Sequence, residues 1–409
     1  MRRKLLLQPQ QTLSNILENQ PQAVSEAFSL GGVAYERMVG EFWTSAQRQA
    51  ANLHEVSYRA CFKPQLPAYF LERFAKPGDL IYDPFSGRGT TAIEAALSGH
   101  MVAANDINPL STYLTKPRLN IPDLYAIEQR LSEIPNVPNS DPNIDLSMFY
   151  EDRTLGEIVA LRDYLIERDS EGTGDNVDDW IRMVATNRLT GHSPGFFSVY
   201  SMPPNQAVSA ARQAKINAQR GQAPEYRDTR SLIMRKSRQL QKGLSRNQVS
   251  NLQSAAKSAL LLNSDAACTP EIEDRSVQLV ITSPPFLDVV QYSDDNWLRG
   301  WFNGIDMKKV SQRITMSKTL DQWNQKMSAV FAELFRVVKP GGVVAFEVGE
   351  VRNGKIKLED AVVPVGIEAG FRCLGVLINT QEFTKTSNIW GIANNSRGTN
   401  SNRIVVFQR

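Results

Sequence analysis

The sequence is poor in the residues that build disulfide frameworks and metal sites. Among its 409 residues are three cysteines, Cys61, Cys268 and Cys373, and three histidines that lie far apart in the chain. No two cysteines form a Cys-x-x-Cys pair, and no histidine has a partner at the spacing of metal ligands. We therefore expect neither a disulfide framework nor a metal centre.

Long apolar segments are also missing. No apolar run reaches the roughly 18–20 residues that a membrane helix needs. The first residues resemble a secretory signal, but only three leucines, Leu5–Leu7, follow the basic start. A signal core needs about 7–15 apolar residues. We therefore expect a cytoplasmic protein without a membrane segment.

The composition is that of an ordinary globular protein, with 42% hydrophobic and 22% charged residues, but the charge is unevenly distributed. Residues 201–260 contain 11 basic and 2 acidic side chains, so this segment carries +9 while the chain as a whole carries +3. Such one-sided enrichment favours contacts with phosphate groups, although a solvated helical face is the alternative. The residues expected to make these contacts are Arg230, Arg235, Lys236 and Arg238.

Strand and helix patterns alternate in two parts of the chain. Apolar residues recur in steps of three and four over 320–338, which predicts an amphipathic helix that ends at Lys339-Pro340-Gly341-Gly342. A second helix is predicted over 90–97. Short apolar runs predict strands at 79–82, 101–105, 277–282, 343–348, 371–378 and 403–407. This alternation predicts an α/β fold with a doubly wound, mostly parallel sheet.

The alternation is lost between about 120 and 255. We expect this part to be a long, largely helical insertion that folds beside the sheet. The predicted organisation is a helical extension over 1–50, one half of the α/β domain over 51–119, the insertion over 120–255 and the second half over 256–409.

A glycine-containing loop follows the first predicted strand, with the sequence Asp83-Pro84-Phe85-Ser86-Gly87-Arg88-Gly89-Thr90. Its glycines allow a tight turn and close approach to a ligand. The helix that begins near Thr90 points free amide groups at the same place. Ligands bind α/β sheets at the carboxyl ends of their strands. No Gly-Lys-Ser/Thr follows, which excludes a nucleotide-phosphate loop. An ordinary tight turn is the alternative.

Two further acids follow predicted strands. Asp106 lies 17 residues after Gly89, at the end of the second strand, where an acid can accept both hydroxyl groups of a ribose. Asp265 ends an apolar run before the third strand and is a candidate contact for an adenine amino group. A helix cap is the alternative role of Asp106, and a loop or cap that of Asp265.

A second unusual loop is Ser283-Pro284-Pro285-Phe286, which follows the strand predicted at 277–282. The two prolines stiffen the loop and lack amide donors that would compete for their carbonyl groups. Ser283 offers a hydroxyl group and Phe286 an aromatic face. Together they predict a pocket for a flat group with an exocyclic amine, rather than a structural turn.

With both loops in view, the chain resembles the S-adenosylmethionine-dependent amino-methyltransferases of DNA. In that family, a Phe-x-Gly-x-Gly loop binds the methionine part of the cofactor, which implies this role for Phe85, Gly87 and Gly89, with Asp83 nearby. The resemblance covers about 54–115 and 260–409. It implies that the cofactor site comprises Asp83, Pro84, Phe85, Gly87, Gly89, Thr90, Asp106 and Asp265, and that Ser283, Pro284, Pro285 and Phe286 hold the target amine. It further implies that Gly89→Val would abolish cofactor binding in a folded protein.

The resemblance also implies a substrate. In that family, a serine at the position of Ser283 is found mostly in enzymes that methylate N4 of cytosine. In duplex DNA the target base must be rotated out of the helix to reach the site. N6 of adenine is the alternative, followed by RNA, a protein glutamine amide, or a non-catalytic DNA-binding subunit. Since the sequence shows neither a C-terminal recognition domain nor a nuclease domain, we expect DNA recognition in the insertion and any restriction endonuclease on another chain.

Overall fold

The computed structural model describes residue 13 and the ranges 23–43, 50–135, 142–202, 206–285, 292–314, 317, 319–351, 356–380 and 401–409. Within these ranges, nine strands form the main sheet and two short strands form a separate pair. The strands are β1 (Val24–Leu30), β2 (Val33–Gly40), β3 (Leu80–Asp83), β4 (Met101–Asn105), β5 (Leu260–Leu262), β6 (Val277–Thr282), β7 (Val338–Val348), β8 (Glu350–Val351), β9 (Ile356–Lys357), β10 (Arg372–Thr380) and β11 (Ser401–Gln408).

Helices connect the strands and form most of the segment between β4 and β5. They are α1 (Gln65–Phe74), α2 (Thr90–Leu97), α3 (Leu110–Leu119), α4 (Leu124–Glu133), α5 (Asp152–Ser170), α6 (Asn176–Thr186), α7 (Ala210–Arg220), α8 (Thr229–Gln241), α9 (Arg246–Ala256), α10 (Tyr292–Asp295), α11 (Trp297–Phe302), α12 (Met307–Arg313), α13 (Leu320–Val337) and α14 (Leu358–Glu368). Among the described residues, no helix is both long enough and apolar enough to cross a membrane.

The strand order is β1-β2-β10-β11-β7-β6-β3-β4-β5. The strands β5, β4, β3, β6 and β7 are all parallel, whereas β11 lies antiparallel between β7 and β10. From β3 the chain proceeds outward to β4 and β5, and then returns to the other side of β3 as β6. The carboxyl ends of β3 and β6 therefore flank a topological switch point, where sheets of this kind bind ligands.

The sheet is covered on both faces, which confirms the predicted doubly wound α/β fold. Successive residues of β6 alternate between the faces: Leu279 and Ile281 pack into one apolar core, and Val280 into the other. The first core contains side chains from α1, α2, α3, α6 and α8, and the second contains side chains from α13 and α14. In the second core, the Phe331 ring lies 4.9 Å from the ring of Phe346 and 5.3 Å from that of Phe407.

The insertion is helical, as predicted, and shares a core with the sheet. Trp180 of α6 and Ile233 of α8 are fully buried in the same core as Ile93 of α2. The Trp180 indole nitrogen donates to the Ser237 hydroxyl at 2.9 Å, which joins α6 to α8. The insertion and the sheet therefore bury common apolar surface in one core.

The prediction of a helical N-terminal extension was wrong for residues 24–40. These residues form the hairpin β1–β2, which turns at Gly31 and Gly32, both with positive φ angles. Strand β2 then pairs in parallel with β10, and Val39 lies opposite Ile378. The pairing partner is more than 300 residues away in the sequence, so local patterns could not reveal it.

The start of strand β7 also differs from the expectation, whereas helix α13 agrees with it. The predicted strand 343–348 lies within β7, which begins at Val338 because that residue already pairs with Val277. Helix α13 has the predicted extent to within one residue. The Thr319 hydroxyl caps it by accepting from the Gln322 amide at 3.2 Å.

Candidate active site

One cavity lies at the carboxyl ends of β3, β4 and β6. It brings together the loop after β3, the acid after β4, residues 264–266 and the Ser-Pro-Pro loop after β6. Of the residues predicted to form the site, those that line the cavity are Pro84, Phe85, Gly87, Thr90, Asp106, Asp265, Ser283 and Pro285. Asp83, Gly89 and Pro284 belong to the same loops without lining it. Phe286 lies outside the described residues.

Asp106 is held in place by the loop that follows β3. Its Oδ2 accepts from the Gly87 amide at 2.8 Å, and its Oδ1 accepts from the Asn108 amide at 2.9 Å. Each carboxylate oxygen has capacity for a further hydrogen bond toward the cavity. Burial raises the pKa of Asp106 to about 6, while the two amide bonds act in the opposite direction. At neutral pH the carboxylate is a fixed acceptor in the cavity wall.

Gly87 and Gly89 meet different requirements. Both have positive φ angles, 52° and 75°. A Cβ atom on Gly87 would have no neighbour closer than the Cys61 sulfur at 3.5 Å, whereas one on Gly89 would lie 2.2 Å from Thr115 Oγ1. The structure does not support the expectation that Gly89→Val acts on cofactor binding alone, because the side chain would collide with Thr115 of α3 and Gly89 does not line the cavity.

Asp83 links the two loops from beneath. Its Oδ1 accepts from the Thr282 hydroxyl at 2.6 Å and from the Phe85 amide at 3.1 Å. Thr282 directly precedes Ser283, so one carboxyl group fixes the ends of both β3 and β6. Burial raises the pKa of Asp83 to about 7, and the hydrogen bonds from Thr282 and Phe85 partly offset this effect.

Glu347 is a candidate site residue that the sequence analysis missed. It lies near the end of β7, beside β6, and its side chain is hydrogen-bonded to Ser283 and accepts from the Asn402 amide. Burial raises the pKa of Glu347 to about 7, despite these hydrogen bonds. The signal was present in the sequence, since Glu347 is the one charged residue in the apolar run 343–348.

The loop with the two prolines is anchored by α13. The Trp323 indole nitrogen donates to the Pro285 carbonyl oxygen at 2.9 Å. This bond occupies one carbonyl of the loop. Since neither Pro284 nor Pro285 has an amide hydrogen, the loop has little freedom to rearrange around that contact.

Asp265 reaches the cavity but already has partners. Its Oδ2 forms an ion pair with Lys326, and its Oδ1 accepts from the Ala267 amide at 2.9 Å. Burial acts to raise the pKa of Asp265, but the hydrogen bonds from Lys326 and Ala267, together with the charges of Lys326 and Arg313, hold the pKa below its ordinary value. Lys326 lines the cavity as well, so a ligand there would meet an ion pair rather than a lone acid.

The segment 58–62 forms the opposite wall of the cavity. Arg59 is paired with Asp295 at 2.6 Å, and the side-chain Nδ2 of Asn108 donates to the Tyr58 hydroxyl at 3.2 Å. Ala60 has a positive φ angle of 56°, which is unusual for a residue with a Cβ atom. These contacts connect the wall to the acid-bearing loop and to the chain beyond the Ser-Pro-Pro loop.

The four basic residues expected to contact phosphates differ in their environments. Lys236 is buried, and its amine donates to Glu55 at 3.0 Å, so the structure does not support a phosphate contact for it. Arg230 is half-buried and donates to the Ile134 carbonyl at 2.6 Å. Arg235 and Arg238 are exposed, and Arg238 lies 4.0 Å from Glu128.

Residues 8–113 match a family model described as DNA methylase, of the N6/N4 methyltransferase type. A curated relative, the type II methyltransferase M.MjaII of Methanocaldococcus jannaschii, is 31% identical over 93 residues. These residues make up 22% of this chain and 18% of that protein, so the chain spans less than a fifth of its relative. The family model covers both N6 and N4 methyltransferases, so this match does not distinguish N4 of cytosine from N6 of adenine.

Solved structures show only distant likeness. The rRNA methyltransferase AviRa of Streptomyces viridochromogenes is 11% identical, with 89% of this chain and 93% of that chain covered and a TM-score of 0.34. A candidate DNA modification methylase of Thermus thermophilus, solved with S-adenosylmethionine, is 22% identical, with 36% and 53% covered and a TM-score of 0.21. Such scores support no inference, so the fold assignment follows from the strand order of this chain.

The contact between Gly89 and α3 leads to a stability prediction. Gly89→Ala should lower the free energy of unfolding by about 2–4 kcal/mol, since overpacking adds to the cost of a positive φ angle. Gly87→Ala, which has room for a Cβ atom, should lower it by only about 1–2 kcal/mol. Urea denaturation measures both. Adding Thr115→Ala should recover part of the Gly89→Ala loss, and equal stabilities for the two alanine variants would contradict the packing explanation.

The raised pKa of Asp83 predicts how stability depends on pH. In the unfolded chain the carboxyl ionises near pH 3.8, whereas in the folded protein it keeps its proton up to about pH 7. Folding therefore becomes less favourable as the pH rises from about 4 to 7, and the Asp83 contribution is constant above that range. The free energy of unfolding of the parent protein should therefore fall between pH 5 and 8. In Asp83→Asn, this fall should be smaller by about 1–3 kcal/mol.

A matched control for this prediction is Asp321→Asn, which removes an exposed carboxyl at the start of α13. Its pH dependence should follow that of the parent protein. An Asp83→Asn variant with the same pH dependence as the parent would show that the buried carboxyl is ionised throughout this range.

Proposed function

We propose that this chain is an S-adenosylmethionine-dependent methyltransferase that modifies an exocyclic amino group in duplex DNA, with N4 of cytosine as the preferred target. The observation that carries the proposal is that Asp106 and Gly87 line the same cavity as Ser283 and Pro285. The glycine loop after β3 and the Ser-Pro-Pro loop after β6 are separated by nearly 200 residues in the sequence, and their convergence at the switch point of the sheet supports the proposal.

The cavity wall suits the proposed cofactor. Asp106 has acceptor capacity on both carboxylate oxygens, as a ribose with two hydroxyl groups requires. Gly87 leaves the cavity unobstructed by a side chain, and helix α2 begins at Thr90 beside it. S-adenosylmethionine would supply an electrophilic methyl group on a sulfonium ion. We assign its ribose to Asp106 and its methionine part to the loop Phe85–Thr90.

We assign the orientation of the target amine to Ser283 and the prolines that follow it. Such an amine is a poor nucleophile because its lone pair is delocalised into the ring. Hydrogen bonds from the amine to Ser283 Oγ and the Pro284 carbonyl oxygen would favour a tetrahedral nitrogen and free that lone pair. Alignment of well-oriented reactants is worth roughly 7–11 kcal/mol. Phe286 is expected to stack on the base.

Glu347 gives this arrangement a place for a proton. Methylation of the neutral amine gives a cationic nitrogen, which must lose a proton to form the product. Ser283, which we assign to the amine, is hydrogen-bonded to Glu347. Because burial raises the pKa of Glu347 to about 7, its carboxylate can take up a proton near neutral pH. We propose that Ser283 positions the amine and that Glu347 receives the proton through it.

The choice of cytosine rests on Ser283. In the DNA amino-methyltransferases that this chain resembles, a serine at this position accompanies methylation of cytosine N4. Adenine N6 is the second candidate. In duplex DNA the base must leave the stack at a cost of a few kcal/mol, which contacts from the basic segment 201–260 would offset. That segment also disfavours a protein glutamine as substrate. We further propose that the protein acts in the cytoplasm, that the insertion recognises DNA, and that any restriction endonuclease is a separate chain.

Two substitutions should separate the proposed roles. Ser283→Ala should lower the single-turnover rate of methyl transfer about tenfold or more, since a hydrogen bond to the reacting amine is lost, while cofactor affinity changes little. Asp106→Asn should instead weaken cofactor affinity by about tenfold. Calorimetry with S-adenosylmethionine and rapid-quench transfer to duplex DNA measure the two effects.

The control is Ser170→Ala, which removes an exposed hydroxyl group at the end of α5. It should match the parent protein in both measurements. Unchanged transfer in Ser283→Ala would place the amine elsewhere, and unchanged affinity in Asp106→Asn would remove the cofactor assignment.

A further inference from the structure

Two arginines converge on one loop of the insertion. Arg188 follows helix α6, and Arg235 lies on α8. Both reach Gly195: a Cβ atom on this glycine would lie 3.2 Å from Arg235 Nη2 and 4.0 Å from Arg188 Nη1. The two guanidinium groups therefore share one patch of surface, which a larger residue at position 195 would crowd.

The Arg188 side chain and the loop beside it are held in place. Its guanidinium group lies 4.0 Å from the centre of the Phe196 ring, and its Nε donates to the Asn187 carbonyl at 3.0 Å. The loop is fixed by Arg227, which donates to the carbonyl oxygens of Ser193 and Phe196 at 3.1 and 2.9 Å. These contacts leave Nη1 and Nη2 of Arg188 without a hydrogen-bond partner in the described part of the chain.

The pair has little charge compensation in the described part of the chain, where the charge of Glu55 acts on Arg188. Across the described ranges, no carboxylate forms an ion pair with Arg188 or Arg235, and the nearby Glu55 already accepts from Lys236 at 3.0 Å and from Gln239 at 2.6 Å. Burial, followed by the charge of Arg235, lowers the pKa of Arg188 to about 10. Two like charges held together in this way are unfavourable, and a bound anion would relieve the repulsion.

The arginine pair is connected to the wall of the cavity. The Asn187 side chain accepts from the Ser57 amide at 2.8 Å, and Arg299 donates to the Ser57 carbonyl at 3.0 Å. Ser57 directly precedes Tyr58 and Arg59, which line the cavity. An anion bound by the pair would therefore lie on a part of the insertion that is hydrogen-bonded to the chain leading into the cavity wall.

We propose that Arg188 and Arg235 together bind one backbone phosphate of the DNA strand that carries the target base. The proposal rests on the proposed function, since it assumes a DNA substrate. Guanidinium groups suit this role because their planar forks match the geometry of phosphate oxygens. Gly195 adds no side chain to the space that both guanidinium groups border. Free inorganic phosphate shares the same chemistry, so the experiment must distinguish the two sources.

The test measures the affinity of the full chain for mixed-sequence duplex DNA at several salt concentrations. Arg235→Ala should weaken binding about tenfold and reduce the slope of log affinity against log salt by about 0.9, as expected for one lost phosphate contact. Arg188→Lys keeps the charge but loses the fork and the stacking on Phe196, so it should weaken binding by a smaller factor with little change in slope. In a protein that already carries Arg235→Ala, Arg188→Lys should weaken DNA binding by a smaller factor than it does in the parent protein, because both residues contact one phosphate.

The matched control is Arg372→Ala, which removes an exposed arginine at the opposite edge of the sheet and should leave affinity and slope unchanged. Unchanged DNA binding in Arg235→Ala, or fully additive effects of the two substitutions, would overturn the proposal. So would calorimetric binding of inorganic phosphate that Arg235→Ala abolishes while DNA affinity persists.

Failure here is distinct from failure of the proposed function. If the parent protein methylates duplex DNA but Arg235→Ala binds it normally, only the phosphate site is wrong. If the parent protein transfers no methyl group to DNA, the proposed function itself fails.

Discussion

The hydrogen bond between the Thr282 hydroxyl and the buried Asp83 carboxyl is the contact on which the site depends. Asp83 ends β3 and Thr282 ends β6, so this bond sets the spacing of the two loops that follow these strands. The same carboxyl oxygen accepts from the Phe85 amide, which fixes the start of the glycine loop. Burying the carboxyl is unfavourable for its ionised form, as its raised pKa shows. The relative position of the two loops is thus fixed by the Asp83 carboxyl group, which does not itself line the cavity.

The other polar groups of the site lie on either side of this contact, along the edge of the sheet where the parallel strands end. On one side, the Gly87 amide orients Asp106, and on the other, Glu347 supports Ser283 from the neighbouring strand. The acceptors that face the cavity are each fixed by a backbone amide, a proline or a buried carboxyl. Such preorganisation is what a reaction dominated by alignment requires, because little rearrangement remains to be made when the substrates bind.

The sequence was sufficient for the parts of this arrangement that are encoded locally. The strands β4 and β6 and the helix α2 have the predicted boundaries, since apolar runs and glycines define them. Most of the predicted site residues line one cavity, because strands of a parallel sheet end at a common edge. The hairpin β1–β2 was missed, since its place in the sheet depends on pairing with a distant strand.

The same limit applies to charged residues, whose roles depend on what lies opposite them. Lys236 looked like its neighbour Arg235 in the sequence, yet one is buried against Glu55 and the other is exposed beside Arg188. Glu347 and the packing of Gly89 against Thr115 likewise involve residues from separate elements. Charge counting could locate a basic segment, but only the folded chain shows which of its cations are available to a ligand.

The most direct test of the central claim, that one cavity holds the methyl donor next to a base amine, is to identify the methylated product. The full chain would be incubated with duplex DNA and isotopically labelled S-adenosylmethionine, and the DNA digested to nucleosides for mass spectrometry. We predict labelled N4-methylcytosine. Labelled N6-methyladenine would retain the cavity assignment and correct the base, whereas no labelled amino-methylated nucleoside would contradict the account.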